Sequence, residues 1–172
     1  MPLDASIVEP YVRELEELYV DSTYSAMTYF EAAKSAELLG KVLVFVPALI
    51  SSMSGLLVAL GQTGRWGAVS ALAGAVAATA AFLGSDRKAP SFKDSARQFT
   101  VLRHRAKMES NFALSRSSTV DLEAIVRELR GEYENIVSKS EPTPNRVFVR
   151  AQKRISSGAT SYEVRQDPNS AP

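Results

Sequence analysis

Cysteine is absent from this chain, histidine and tryptophan occur once each, and charge is missing from two long internal stretches. Without cysteine there is no disulfide, no thiolate nucleophile and no zinc-thiolate site. The lone histidine, His104, lies between Arg103 and Arg105 with no carboxylate cluster beside it in sequence, so neither a metal set nor a catalytic pair can be read there. Gly61-Gln62-Thr63-Gly64 follows no strand and precedes no lysine-hydroxyl pair, which makes it a turn and not a phosphate loop. Paired acids such as Glu16 and Glu17 belong to a charged helix, and nothing around them in sequence forms a pocket. The chain reads as a non-enzyme with no cofactor and no metal.

The missing charge is the informative absence. From Lys41 to Arg65 no ionisable residue occurs, and after Arg65 the next is Asp86. Each uncharged window, 42–60 and 66–84, supplies about the 20 residues that cross a bilayer core. Twelve of the nineteen residues in the first are Val, Leu, Ile, Phe or Met, each favourable by about 0.3–0.6 kcal/mol at a helix centre, so this window is expected to insert alone. The second has six large apolar residues among eight Ala and three Gly; its insertion is near neutral, and the first helix brings it in. The alternative is a pair of buried helices in a soluble protein, which the short, charged remainder of the chain is poorly able to cover. A cleaved leader fits poorly too, because an acidic segment precedes the first window where a short basic one would be needed. Lys34, Lys41, Arg87, Lys88 and Lys93 flank the pair on its terminal sides, against Arg65 alone in the connection, so the positive-inside rule puts both termini in the cytoplasm.

A net charge of +1 hides an uneven distribution: residues 1–40 carry eight acids and two bases, residues 86–116 eight bases and three acids. Charge therefore favours docking of these segments, although exposed pairs contribute only about 0–1 kcal/mol each and apolar stripes must do most of the holding. Over 10–40, with Val8 just ahead, the residues Val8, Tyr11, Leu15, Leu18, Ser22, Ala26, Tyr29, Ala33, Ala36 and Gly40 recur in steps of three and four, a helical stripe. Pro10 suits its first turn, and Asp21-Ser22 reads as a cap that kinks or breaks it. Asp86 to Pro90 reads as a polar turn and Ser91 as the cap of a helix over 92–115, with Phe92, Ala96, Phe99, Leu102, Ala106, Phe112 and Ala113 inward. Ser118-Thr119 opens a helix over 119–138 with Leu122, Ile125, Val126, Leu129, Tyr133 and Ile136 on one face, and Glu141-Pro142-Thr143-Pro144-Asn145 stops it. A short helix over 146–155 follows, with Val147, Phe148, Ala151 and Ile155; residues 157–172 read as a disordered tail. No strand pattern competes. The expected fold is all-α: a two-span transmembrane helical hairpin with a cytoplasmic helical bundle formed by the N- and C-terminal segments, one domain over 1–156.

Two sets of residues are candidates for function. In the second window Gly67, Ser70, Ala71, Gly74, Ala78 and Ala81 share a helical face whose small side chains allow close approach of another helix. In the first, Ser51, Ser54, Gly55 and Val58 share a face below Pro47, whose missing amide frees a carbonyl. One reading is packing of the two spans and ordinary oligomer contacts, with serine hydroxyls bonded to their own helix; the other is that Ser51 and Ser54 line a pore in a homo-oligomer. The second set is Arg87, Lys88, Lys93 and Arg97, placed to meet lipid headgroups or the phosphate of a ligand, with lipid and the acidic N-terminal helix favoured as partners.

The order of these features resembles a known family. A helix bearing Tyr24-Ser25-Ala26-Met27-Thr28-Tyr29-Phe30-Glu31-Ala32-Ala33 precedes a tight two-span hairpin, followed by the amphipathic helix from Phe92 to Leu114, the Leu/Ile helix closing on Tyr133, the Pro142-Thr143-Pro144 break and a last short helix. This layout is similar to the SLATT domain, a two-transmembrane effector domain associated with SMODS nucleotidyltransferases and SLOG proteins. The resemblance spans residues 10 to 156 and rests on layout, not on an invariant motif. It implies a bacterial inner-membrane protein of a conflict or anti-phage system that homo-oligomerises and forms pores when a sensor protein or nucleotide second messenger triggers it; nucleic acid polymers are not implied as partners. No fused sensor or nucleotidyltransferase accompanies the layout here, so the trigger is expected from a separate partner or a ligand of the helical bundle.

Overall fold

The computed structural model describes residues 5–61, 65–83, 88–116 and 118–158, and all of its regular structure is helical. The elements are α1 (Ala5–Ala59), α2 (Arg65–Leu83), α3 (Lys88–Phe112) with a 3-10 turn over Ala113–Ser115, α4 (Thr119–Lys139) and α5 (Asn145–Ser156). They divide into two compact units, one holding the chain up to Glu31 and from Ser95 onward, the other Ala32–Asp94.

Helix α1 runs for 55 residues, so the expected break at Asp21-Ser22 does not occur. Packing overrides the cap signal. Ser22 is fully buried between the turns of Leu18 and Ala26, and the Asp21 carboxylate is 3.8 Å from Arg130. Pro10 is the sixth helical residue and not part of a first turn. The helix also passes through Gly40 and Pro47, joining the stripe over 10–40 and the window over 42–60 into one element. Every member of the stripe from Val8 to Gly40 is buried or half-buried. Gly61 takes a φ of 85° just beyond α1, and its amide bonds the Val58 carbonyl at 3.0 Å; a left-handed residue here ends the helix at low steric cost only as glycine. Residues 62–64 of the expected loop lie outside the described residues, and Arg65 belongs to α2.

Helix α3 starts earlier than its sequence signals suggest. Lys88-Ala89-Pro90, expected as a turn, form its first helical residues, and Ser91 is inside the helix instead of capping it. Pro90 is tolerated because amides in a helical first turn have no intrahelical partner. Helix α4 begins after Ser118, whose hydroxyl makes no capping bond, and closes where the Ser140 amide bonds the Ile136 carbonyl at 3.0 Å. The segment 141–144 is irregular, as its two prolines require. Beyond Gly158 the expected tail lies outside the described residues.

The first unit packs α1, α3 and α4 around Leu15, Leu18, Ala26, Phe99, Leu102, Ala106, Leu129 and Ile136. Phe99 occupies the middle, stacked on Tyr29 and tilted against Tyr133, each with ring centroids 5.6 Å away. The two tyrosines reach polar partners at the rim: Tyr29 Oη donates to the Glu141 carbonyl at 3.1 Å, and Tyr133 Oη lies 3.5 Å from Ser25 Oγ. A smaller cluster of Val8, Ala113 and Leu122 closes the other end. Phe112, expected to face inward, is exposed, and so is Phe148.

The expected pairing of an acidic first segment with a basic third is met by Lys93 of α3 and Glu37 of α1 at 2.9 Å, while other α1 acids turn to α4. Glu14, Glu17 and Asp21 of α1 converge on Arg130 of α4, at 2.8, 3.7 and 3.8 Å. Arg105 of α3 is clamped by Glu128 and Glu132 of α4, which hold its guanidinium more firmly protonated, the hydrogen bond to Glu128 foremost. Of the α3 cations, Lys107 meets α1 through the Tyr19 ring, 5.6 Å from its centroid.

Ser22 stands out inside this unit because its Oγ is buried with no hydrogen-bond partner, whereas Thr23, Thr28 and Thr100 bond the carbonyls four residues back at 2.7–2.8 Å. Ser22→Ala is expected to stabilise the unit by about 1 kcal/mol, since it removes a desolvated hydroxyl and improves helix propensity. Chemical denaturation followed by far-UV circular dichroism checks this; a loss of stability would show that the hydroxyl is satisfied.

Candidate functional site

The second unit has its apolar side chains on the outside. Along α1, Val42, Val44, Phe45, Val46, Leu49, Ile50, Met53, Leu56 and Val58 are exposed, and along α2 so are Trp66, Val69, Leu72, Val76 and Phe82, the last at 84%. Its buried α1 residues are small or polar: Ala32, Ala33, Gly40, Pro47 and Ser54. Among the described residues α1 is the one helix long and apolar enough to cross a membrane, and only 6% of its apolar window is buried.

The two helices meet through hydroxyls. Ser51 Oγ lies 3.2 Å from Ser70 Oγ; Ser51 Oγ reaches the Ser70 carbonyl at 3.4 Å, and Ser70 Oγ reaches the Ser51 carbonyl at 3.3 Å. Ser52 and Thr79, by contrast, donate to carbonyls of their own helix at 2.9 and 2.8 Å. Beside the serine pair, Ser54 is 2% exposed and Ala73 is buried, with Gly74 and Ala77 half-buried. Of the candidate small-residue face, then, the structure brings Ser51 and Ser70 into contact, buries Ser54 and half-buries Gly74. Gly55, Gly67, Ala71 and Ala78 are exposed, Val58 is too, and the Ala81 side chain lies outside the described residues. A Cβ on Gly55, Gly67 or Gly74 would meet nothing within 4 Å. Sequence reasoning missed Ala73 and Ala77, because eight alanines along α2 look alike until a neighbouring helix distinguishes them.

Of the candidate phosphate contacts, Arg87 is outside the described residues. Lys88 and Arg97 are exposed on α3. Lys93 is committed to Glu37 at 2.9 Å, and Lys41 bonds the other oxygen of the same carboxylate at 3.0 Å. These two ammonium groups, Lys93 first, hold the Glu37 carboxyl below the ordinary glutamate value. His104 is exposed beside Arg103, with 3.3 Å between Nε2 and Nη2, and no group of three or more potential metal ligands occurs among the described residues. Comparison with protein-family models, curated proteins and solved structures finds no match to the chain.

Proposed function

We propose that this protein is a two-span membrane effector: α1 from Val42 onward and α2 cross the bilayer as a hairpin with both termini in the cytoplasm, and activated copies assemble into a homo-oligomer that permeabilises the membrane. One observation carries the membrane reading, the inversion of the apolar pattern in the second unit. A soluble core buries its large apolar side chains and leaves small ones to the surface. In lipid no hydrophobic force draws helices together, so small residues and hydroxyls take the contact and large apolar residues face the acyl chains. That is the distribution found around Ser51, Ser54, Ser70 and Ala73. At 19 residues α2 is about 28 Å long, close to the bilayer core of about 30 Å.

Assembly is supported by the small residues that the pair itself does not use. Gly55, Gly67, Ala71 and Ala78 are exposed, with open space around the two glycines, which leaves room for the helix of a second copy. A hairpin encloses no channel, so conduction requires several copies. The SLATT-like layout supplies the setting: a bacterial inner-membrane effector in a conflict or anti-phage system, triggered by a separate sensor protein or a nucleotide second messenger. A second reading, a non-conducting anchor or sensor that recruits a cytoplasmic partner, is favoured by the mutual bonding of Ser51 and Ser70, which satisfies both hydroxyls without water.

Expression together with the neighbouring genes of its genome, in cells carrying a potential-sensitive dye, tests the effector reading. The wild type is expected to depolarise the cells. Ser51→Leu with Ser54→Leu is expected to stay in the membrane fraction and to lose conductance. A wild type that reaches the membrane yet never depolarises, with the activator present, overturns the effector reading in favour of the anchor.

A further inference from the structure

Several cations of α3 are engaged within the chain, Arg105 with Glu128 and Glu132, Lys93 with Glu37 and Lys107 over Tyr19, and just beyond it Arg116 pairs with Glu109. Helix α5 is basic throughout. Between Asn145 and Ser156 it carries Arg146, Arg150, Lys153 and Arg154 and no acid. Val147 and Ala151 are buried, and Arg154 is drawn onto Glu31 of α1. The far side presents Arg146, Val149, Arg150 and Lys153 at spacings of three, four and seven, which places them on one outward face, and all four are exposed. Val149, within that face, is 61% exposed; Phe148, also exposed, lies about 160° around the helix from Arg146 and is not part of the face.

We propose that this outward face of α5 docks on an anionic lipid surface, with Arg146 and Lys153 on headgroup phosphates and Val149 set among the headgroups. Charge complementarity selects an anionic partner. Val149, exposed among these cations, selects lipid over nucleic acid, because a bilayer offers an apolar layer beneath its phosphates and a duplex backbone does not. Ser140 Oγ donates to Ser95 Oγ at 3.0 Å, Tyr29 holds the Glu141 carbonyl, and Glu31 holds Arg154, so α5 and the stop before it are fixed to α1 and α3 with the basic face left outward. Docking of α5 does not depend on whether the chain conducts.

The lack of cysteine makes the test site-specific. The full chain carrying Val149→Cys, labelled with a polarity-sensitive fluorophore, is placed in nanodiscs of phosphatidylcholine alone or mixed with phosphatidylglycerol. A blue shift is expected in the mixed discs alone, reversed by salt, while the same label at Glu134→Cys on the exposed side of α4 is expected to stay unchanged. Arg146→Gln and Lys153→Gln, both on exposed side chains, are each expected to lower the docked-to-free ratio about fivefold with far-UV helicity unchanged. Equal emission in the two disc types, or a shift that survives both glutamine substitutions, overturns the proposal. A shift produced by an added oligonucleotide in phosphatidylcholine discs, with none caused by phosphatidylglycerol, also overturns it and gives the face to nucleic acid.

Discussion

Phe99→Ala is expected to destabilise the first unit by about 3–5 kcal/mol, a large share of the roughly 5–15 kcal/mol that holds a domain folded. Phe99 is 1% exposed and bridges three helices, with Tyr29 of α1 on one side and Tyr133 of α4 on the other. The cavity left by the ring is not easily closed. Tyr29 is held by the Glu141 carbonyl and Tyr133 lies against Ser25, so neither ring can move inward without giving up its rim contact. Amide hydrogen exchange of α3 and α4 reads the loss directly. Fluorescence of the sole tryptophan does not, because Trp66 belongs to the other unit. Phe112→Ala is the control: it sits on the same helix, 56% exposed, and is expected to change stability by less than about 0.5 kcal/mol. Equal losses from the two substitutions would contradict the core described above.

The contrast between those phenylalanines is itself legible in periodicity. Phe92, Ala96, Phe99, Leu102 and Ala106 follow the 3.6-residue repeat and are buried as that repeat requires. Phe112 is off the same repeat and is exposed, while Ala113, in register with Ala106, is buried at the start of the 3-10 turn Ala113–Ser115. Helix α5 buries only the narrow edge of Val147 and Ala151, one turn apart, so the Phe148 ring about 100° around the helix stays outside. The Leu122, Leu129 and Ile136 ridge of α4 is wider and easier to read.

Charge was legible as a sum and only partly as a map. The totals over 1–40 and 86–116 oppose each other and Lys93 does meet Glu37, yet the one arginine that gathers three α1 carboxylates, Arg130, belongs to neither segment. Which base meets which acid depends on the order of helices around the core, and α4 contributes to the same core as both α1 and α3. The candidate site shows the same division. A sequence can place Ser51 and Ser70 in apolar windows; only a neighbouring helix decides that they bond each other while Gly67 and Ala71 remain outside. The missing break at Asp21 has this origin too, because a capping serine and a buried serine are the same residue until Leu18 and Ala26 are covered.

Leu49→Arg combined with Met53→Arg is expected to have the largest effect of any pair of surface substitutions in the chain, expelling it from the membrane fraction. Both side chains are exposed, four residues apart near the middle of the apolar window, so the pair leaves the Ser51–Ser70 contact untouched. Each arginine costs about 2.5–3.5 kcal/mol at a helix centre and forfeits about 0.3–0.6 kcal/mol from the residue it replaces, so the pair costs about 6–8 kcal/mol. The twelve large apolar residues of the window together supply about 4–7 kcal/mol on the same scale, so the substitution cancels the insertion energy. In a water-soluble protein the outcome reverses. Arginine at two exposed positions of an intact helix is close to neutral for folding and makes the surface more soluble. Fractionation of cells expressing each form therefore separates the two settings by sign: loss from the detergent-extracted membrane fraction follows if the apolar surface of α1 faces lipid, and a folded chain with unchanged or increased yield in the soluble fraction follows if it faces water.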